Sequence, residues 1–219
     1  MDHLPSPPGV DALMAIPPAV HLLPAGSEIV RIWFSGSRYA SGFAHFRDFG
    51  PTASRFDHHL PDAAGRPTTG SRAILYAIDA TADPHAFTSA LAEVFQDTRT
   101  IDLRAEEPRL TIFRTTRDLS LLDLTGHWAT RAGASASLCS GPRTITKEWS
   151  RDFYAAYPDI DGLRYRSAMS GGSSMSLALY ERGKSAMPRA PVFDRLLKHS
   201  ALRSELVRAA RLLGYDIRA

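Results

Sequence analysis

Arg31, Arg55, Tyr76, Glu93 and Ser167 are the side chains of this sequence whose types, order and settings could do chemistry. Arg31 stands inside the apolar run Glu28-Ile29-Val30-Arg31-Ile32-Trp33-Phe34, where an unpaired guanidinium would be costly. Arg55 stands between a polar stretch and Phe56. Guanidinium groups bind phosphate oxygens bidentately, so two converging arginines would suit a diphosphate or nucleotide. The competing reading is structural, an ion pair of Arg55 with Asp57 or of Arg31 with a strand-end acid. Tyr76 could stack on a heteroaromatic ring while its hydroxyl reaches a polar partner, or it could be an ordinary core tyrosine. Glu93 could act as a general base or stabilise a cationic sugar-like transition state, and otherwise reads as a solvated helix-flank acid. Ser167 could hold a ligand by a hydrogen bond, or merely cap a strand.

These residues need elements to position them. The run 28–34 is β-branched and aromatic and predicts a strand, as does Ala73 to Asp79. Between them, Ser35 to Gly70 is rich in Gly, Ser, Pro and His, and a loop of that length in a compact domain is usually functional. Asp83-Pro84 predicts an N-cap and first helical position for a helix reaching about Phe95. At about 100° per residue, Phe87, Ala90, Leu91, Val94 and Phe95 share an arc, and Glu93 falls at its shoulder. A carboxylate there is partly desolvated yet able to reach a cleft. Further strands are expected at 109–115, 119–124, 163–167 and 175–181, and a helix at 144–157. The strand alternation puts Arg164 and Arg166 on the face opposite Ser167. Residues from about Val192 to Leu213 predict one or two basic amphipathic helices with Ser200 as N-cap. Strands and helices do not alternate regularly, which favours α+β over a doubly wound sheet.

Composition narrows the classes. An apolar fraction of 44% and a charged fraction of 22% are those of a folded domain. A formal charge of +3 is too small to argue nucleic-acid binding, whereas an anionic small molecule is compatible with it. The single cysteine, Cys139, fits a reducing cytoplasm. The first 27 residues hold six prolines and lack the basic start and unbroken apolar run of a signal peptide. No apolar run approaches a membrane span. His58-His59 with His45 fit no standard zinc spacing, so no metal is expected. The run Ser170-Gly171-Gly172-Ser173-Ser174 is neither a P-loop nor a dinucleotide fingerprint and reads as a hairpin connection.

Taken in order, Val30-Arg31-Ile32, Ser54-Arg55-Phe56-Asp57, Leu75-Tyr76-Ala77, Ala92-Glu93-Val94 and Asp161-Gly162-Leu163-Arg164-Tyr165-Arg166-Ser167 resemble the RES-domain family. Ser176-Leu177-Ala178-Leu179-Tyr180 is similar to its closing strand. The resemblance implies a single compact α+β domain similar to ADP-ribosyltransferases. It also implies an NAD+ glycohydrolase or NAD+ phosphorylase, with NAD+ as substrate and no resident cofactor. Many such proteins are toxins restrained by an Xre-type antitoxin. By that analogy Arg31 and Arg55 hold the phosphates, Tyr76 packs at the nicotinamide end, Glu93 acts on the nicotinamide ribose, and Ser167 holds the ligand or positions these groups. The implied partners are NAD+ and an antitoxin protein, with no direct nucleic acid and no membrane; a homodimer stays open. The expected division is a Pro-rich arm over 1–27, a catalytic domain over 28–185 and a helical extension over 186–219. This sequence departs from the family where many members have Gly-Gly-Arg-Trp-Asn, and it carries an insert from Leu60 to Gly70. Two other readings share the fold: a non-catalytic nucleotide- or partner-binding module, and a protein ADP-ribosyltransferase.

Overall fold

Strand β4 (Thr68–Asp79) runs through the middle of the molecule, and its two edges decide where a cleft can form. Its aliphatic stretch Ala73–Ile78 is apolar on both faces, so both faces of the sheet must be covered. The computed structural model describes residues 4–38, 41–81, 83–170 and 174–219. In chain order its elements are α1 (Val10–Met14), β1 (Val20–Leu23), β2 (Glu28–Phe34), β3 (Arg47–Gly50), β4, α2 (Ala86–Phe95), β5 (Thr100–Asp102), β6 (Pro108–Arg114), β7 (Leu119–Asp123) and α3 (Trp128–Arg131). Then follow α4 (Arg143–Ala156), β8 (Gly162–Arg166), β9 (Met175–Tyr180), β10 (Phe193–Leu196), α5 (Arg203–Leu213) and β11 (Asp216–Arg218).

The main sheet runs β1-β7-β8-β9-β4-β2-β6-β10, with β3 also on β4. The β7–β8 pair is parallel, and its crossover carries α3 and α4. On one edge, β9 pairs with β4 without interruption from Ile74↔Tyr180 to Asp79↔Met175. The other edge is shared. β2 pairs only at Ile29↔Asp79 and Val30↔Ile78, and β3 takes up pairing at Arg47↔Ile74. Leu75, Tyr76 and Ala77 lie where these two partners diverge.

Period-2 alternation sends Ile74, Tyr76 and Ile78 to one face, with Val30 and Ile32 beside them. Two apolar clusters cover that face. One joins α2 and α5 through Ala90, Leu91, Phe95, Leu206 and Ala210. The other joins α3, α4 and the N-terminal segment through Leu4, Leu13, Trp128, Trp149 and Phe153. Tyr76 sits near their junction. The opposite face buries Ile29, Leu75, Phe113, Leu121, Leu177 and Leu179 under Phe43 and Phe46.

The chain is thus one α+β domain with helical structure near its C-terminus, as its pattern suggests, but several elements differ in detail. The first 27 residues are more than an extended arm, since they supply α1 and an edge strand, β1, and bury Leu4 and Leu13 completely. Phe193 to Leu196 is not helical but forms the edge strand β10 on β6, held by Asp194 accepting from Arg109 and Thr111. Helix α2 begins at Ala86 rather than Pro84; Asp83 instead accepts from the His85 amide at 2.8 Å. The 35–70 segment contains β3 and the start of β4. Gly171, Gly172 and Ser173 of the expected hairpin connection lie outside the described residues. No helix among the described residues is long and apolar enough to cross a membrane.

Candidate active site

Glu93 and Ser167 meet although 74 residues separate them: the Ser167 hydroxyl donates to Glu93 Oε1 at 2.6 Å. Helical periodicity places Glu93 beside the buried Ala90, Leu91 and Ala92 while leaving it half-buried. Ser167 follows β8 and is buried; its oxygen also accepts the Met169 amide at 3.1 Å. The hydroxyl is therefore oriented, with its proton committed to the carboxylate. As strand alternation requires, Arg164 turns to the other face and pairs with Asp123 at 3.5 Å.

Arg55 enters the same region on an unusual turn. Phe56 adopts φ of 59° although it is not glycine, and its ring is fully buried against Tyr165 with centroids 4.6 Å apart. Such a conformation costs about 1–2 kcal/mol and persists only when its surroundings enforce it. They do so from several sides. The Tyr76 hydroxyl donates to the Arg55 carbonyl at 2.7 Å, and Ser150 donates to the Phe56 carbonyl at 2.7 Å. Buried Asp57 accepts from Arg47 Nη2 at 2.9 Å and from the Thr52 amide at 2.7 Å, and its other oxygen lies 2.6 Å from His59 Nδ1. Burial alone would raise the Asp57 pKa, but the His59 hydrogen bond, Arg47 and Thr52 hold it well below the usual carboxylate range. Asp57 is thus bound to Arg47 and not to Arg55.

The Arg55 guanidinium donates to the Gly141 carbonyl at 2.8 Å and lies 3.4 Å from the Thr146 hydroxyl. Burial lowers its pKa; Tyr165, Cys139 and Glu93 act in the opposite sense and Arg143 reinforces the lowering. Gly141 cannot carry a side chain, because a Cβ would meet the Ser137 carbonyl oxygen at 2.6 Å. Tyr76, half-buried, has its pKa raised by burial and then by Asp57 and Tyr165, so its hydroxyl keeps its proton. Tyr165, buried between Phe56 and this group, is likewise raised by burial and by Glu93.

Arg55, Tyr76, Glu93 and Ser167 are brought together; Arg31 is not. Strand alternation puts Arg31 on the face away from Tyr76, where Nη1 donates to the Phe43 and His45 carbonyls at 2.8 and 3.0 Å. Burial, then the nearby Arg47, lowers its pKa to about 10. In this structure it ties the 43–45 segment over the opposite face instead of pairing with a strand-end acid.

Residues not singled out from the sequence complete the site. Arg143, at the start of α4, donates to Gln96 Oε1 at 2.9 Å, and Gln96 Nε2 donates to the Glu93 carbonyl at 2.7 Å. A cavity of about 270 Å³ beside α2 is lined by His85, Thr88, Ser89, Ala92, Met169 and Leu213 among others, but not by Arg55, Tyr76, Glu93 or Ser167. The neighbouring Cys139 thiol is pushed up by burial, which leaves it protonated and poorly nucleophilic. His58 and His59 are buried, and among the described residues no group of three or more His, Cys, Asp or Glu could hold a metal ion.

A fixed, half-buried carboxylate with a guanidinium nearby can stabilise positive charge developing on a bound group whose anionic part lies on the arginine. The model of the RES domain matches residues 28–199, spanning every residue of this constellation. The chain belongs to the RES-domain family. Among solved structures, this RES domain shares its fold with a chain of the M. tuberculosis MbcT–MbcA toxin–antitoxin complex, at 14% identity and a TM-score of 0.52. That match covers 84% of this chain and 91% of the other. No curated protein matches the RES chain by sequence.

Proposed function

We propose that this RES-domain protein cleaves the nicotinamide–ribose bond of NAD+, with water or phosphate as acceptor. The observation that carries the reading is the Glu93 carboxylate held by Ser167 at 2.6 Å, with the Arg55 guanidinium near enough for the two charges to act on each other. When the C1′–N bond breaks, its electron pair goes to the ring nitrogen and nicotinamide leaves neutral. Positive charge is left on the ribose. A fixed carboxylate beside that carbon stabilises it more than it stabilises the substrate, and this difference accelerates the step. An acceptor oxygen then bonds to C1′: water sheds its proton to solvent, whereas phosphate attacks through an unprotonated oxygen. Arg55 holds the diphosphate, Tyr76 fixes the Arg55 backbone and offers its ring to the nicotinamide end, and Ser167 orients Glu93. NAD+ is the substrate, and the chemistry requires no resident cofactor.

Membership of the RES family, and a fold shared with a protein solved as part of a toxin–antitoxin complex, support a cytoplasmic toxin restrained by an Xre-type antitoxin. The test is to incubate purified protein with NAD+, with and without phosphate, and follow free nicotinamide. Release is expected, and Glu93→Gln should lower the rate by at least a hundredfold with an unchanged circular-dichroism spectrum. Folded wild-type protein that releases no nicotinamide under either condition would refute the reading. Radiolabel from adenylate-labelled NAD+ appearing on a protein would point instead to ADP-ribosyl transfer.

A further inference from the structure

A second guanidinium stands near Glu93 and Arg55 with no assigned role. Arg143 opens α4, a helix of 14 residues preceded by Pro142 and lacking a side-chain cap. Its Nη2 donates to the neutral Gln96 amide, and the nearest carboxylate, Asp97, lies 3.9 Å away and is 81% exposed. Arg55 reaches the same helix start, where its partners are the Gly141 carbonyl and the Thr146 hydroxyl, not a carboxylate. Neither guanidinium thus has a close, buried carboxylate as partner, and Arg143 acts on Arg55 as a neighbouring like charge. Two cations kept near each other by neutral hydrogen-bond partners make an anion site. The chain Arg143–Gln96–Glu93 ties this cation to the turn of α2 that carries the carboxylate.

We propose that Arg143 is a second phosphate-binding residue of this site, which with Arg55 takes the diphosphate of the dinucleotide. The inference rests on the NAD+ reading and adds to it a residue from a different element. Two guanidinium forks match the two negative charges of a diphosphate, one for each phosphoryl group. Gln96 holds Arg143 in place until the ligand arrives, because a neutral amide is a weaker partner than a phosphate oxygen. The same chemistry would also suit free phosphate, the alternative acceptor, and the two sources are separable.

The experiment is calorimetric titration of wild type, Arg143→Ala and Arg143→Lys with ADP-ribose, with adenosine and, separately, with inorganic phosphate. ADP-ribose affinity is expected to fall about tenfold or more in Arg143→Ala and less in Arg143→Lys, which keeps the charge but not the fork. Adenosine, which lacks the diphosphate, should bind wild type and Arg143→Ala equally; an equal loss there would overturn the proposal by revealing a general distortion. Unchanged ADP-ribose affinity in Arg143→Ala would overturn it while leaving the NAD+ reading intact. Loss confined to inorganic phosphate would overturn the diphosphate assignment. Wild type that fails to bind ADP-ribose at all would remove the NAD+ reading and this inference together. Arg143 is half-exposed, so a misfolded alanine variant is not expected; Arg143→Gln, which keeps most of the side-chain length, supplies the same comparison.

Discussion

Replacing Ser167 by alanine removes one hydroxyl whose hydrogen is committed to Glu93 and whose oxygen accepts the Met169 amide. The short bond to Glu93 is charge-assisted, and such bonds contribute about 1.5–3 kcal/mol. If most of that acts by holding the carboxylate where charge develops, the loss at the transition state is about 2 kcal/mol, or roughly thirtyfold in rate. The assay is single-turnover nicotinamide release, so that product release does not mask the chemical step. A structural role for Ser167 would also slow turnover, and a double-mutant cycle with Glu93→Ala separates the two. Because Ser167 acts through Glu93, its removal should cost little of the residual rate once the carboxylate is gone. Ser167→Thr, which keeps the hydroxyl, should recover part of the loss. An undiminished thirtyfold effect in the Glu93→Ala background would refute the positioning argument.

Tyr76→Phe deletes the bond to the Arg55 carbonyl and should cost about 1 kcal/mol of stability, measured by urea unfolding, with about a fivefold loss in kcat/KM as the Arg55 turn loosens. Gly162→Ala would put a Cβ 2.5 Å from the Ala178 carbonyl oxygen and 2.8 Å from the Leu179 Cα, forcing β8 from β9; a loss of about 3 kcal/mol or more is expected in the same experiment. Glu181, for which burial is outweighed by His58 at 3.5 Å, the Ala73 amide and the Tyr154 hydroxyl, has a pKa depressed to about 2. Its folded pKa lies below its unfolded value of about 4.3, so its contribution is full above that pH and lost as pH falls towards 2. Glu181→Gln should flatten the fall in melting temperature over that window, and an unchanged slope would contradict the assignment.

How far the site can be read without coordinates depends on the range of the interaction. Glu93 is placed by the turn of its own helix, and the aliphatic run Ala73–Ile78 announces a buried strand, so both follow from local pattern. The Glu93–Ser167 bond is different, since no local signal tells a serine after one strand that an acid 74 residues earlier will be its partner. Arg143 stands one residue before the helix expected at 144–157, with no local sign of a site, and Phe56 hides its left-handed backbone because such turns are usually marked by glycine. The strand β10 escaped because Phe193-Asp194-Arg195-Leu196 is short and polar, and only its pairing with β6 makes it a strand. Arg31 could be placed in its strand from sequence, but its face followed only from the register with β4 and β6.

The N-terminal segment has a consequence for how the molecule comes into being. Trp149, Trp128 and Tyr157 donate to the carbonyls of Pro5, Pro17 and Leu13, and Leu4 is fully buried near Gly141, whose carbonyl receives Arg55. Once synthesised, Pro5, Leu13 and Pro17 therefore wait for partners up to 144 positions later, on the order of ten seconds at a synthesis rate of about 10 residues per second. Ser167 emerges later still. A ribosome-bound fragment ending before it carries Glu93 and Arg55 but lacks the hydroxyl that orients the acid. On the proposed function, a chain interrupted before Ser167 is expected to release nicotinamide no faster than Ser167→Ala does.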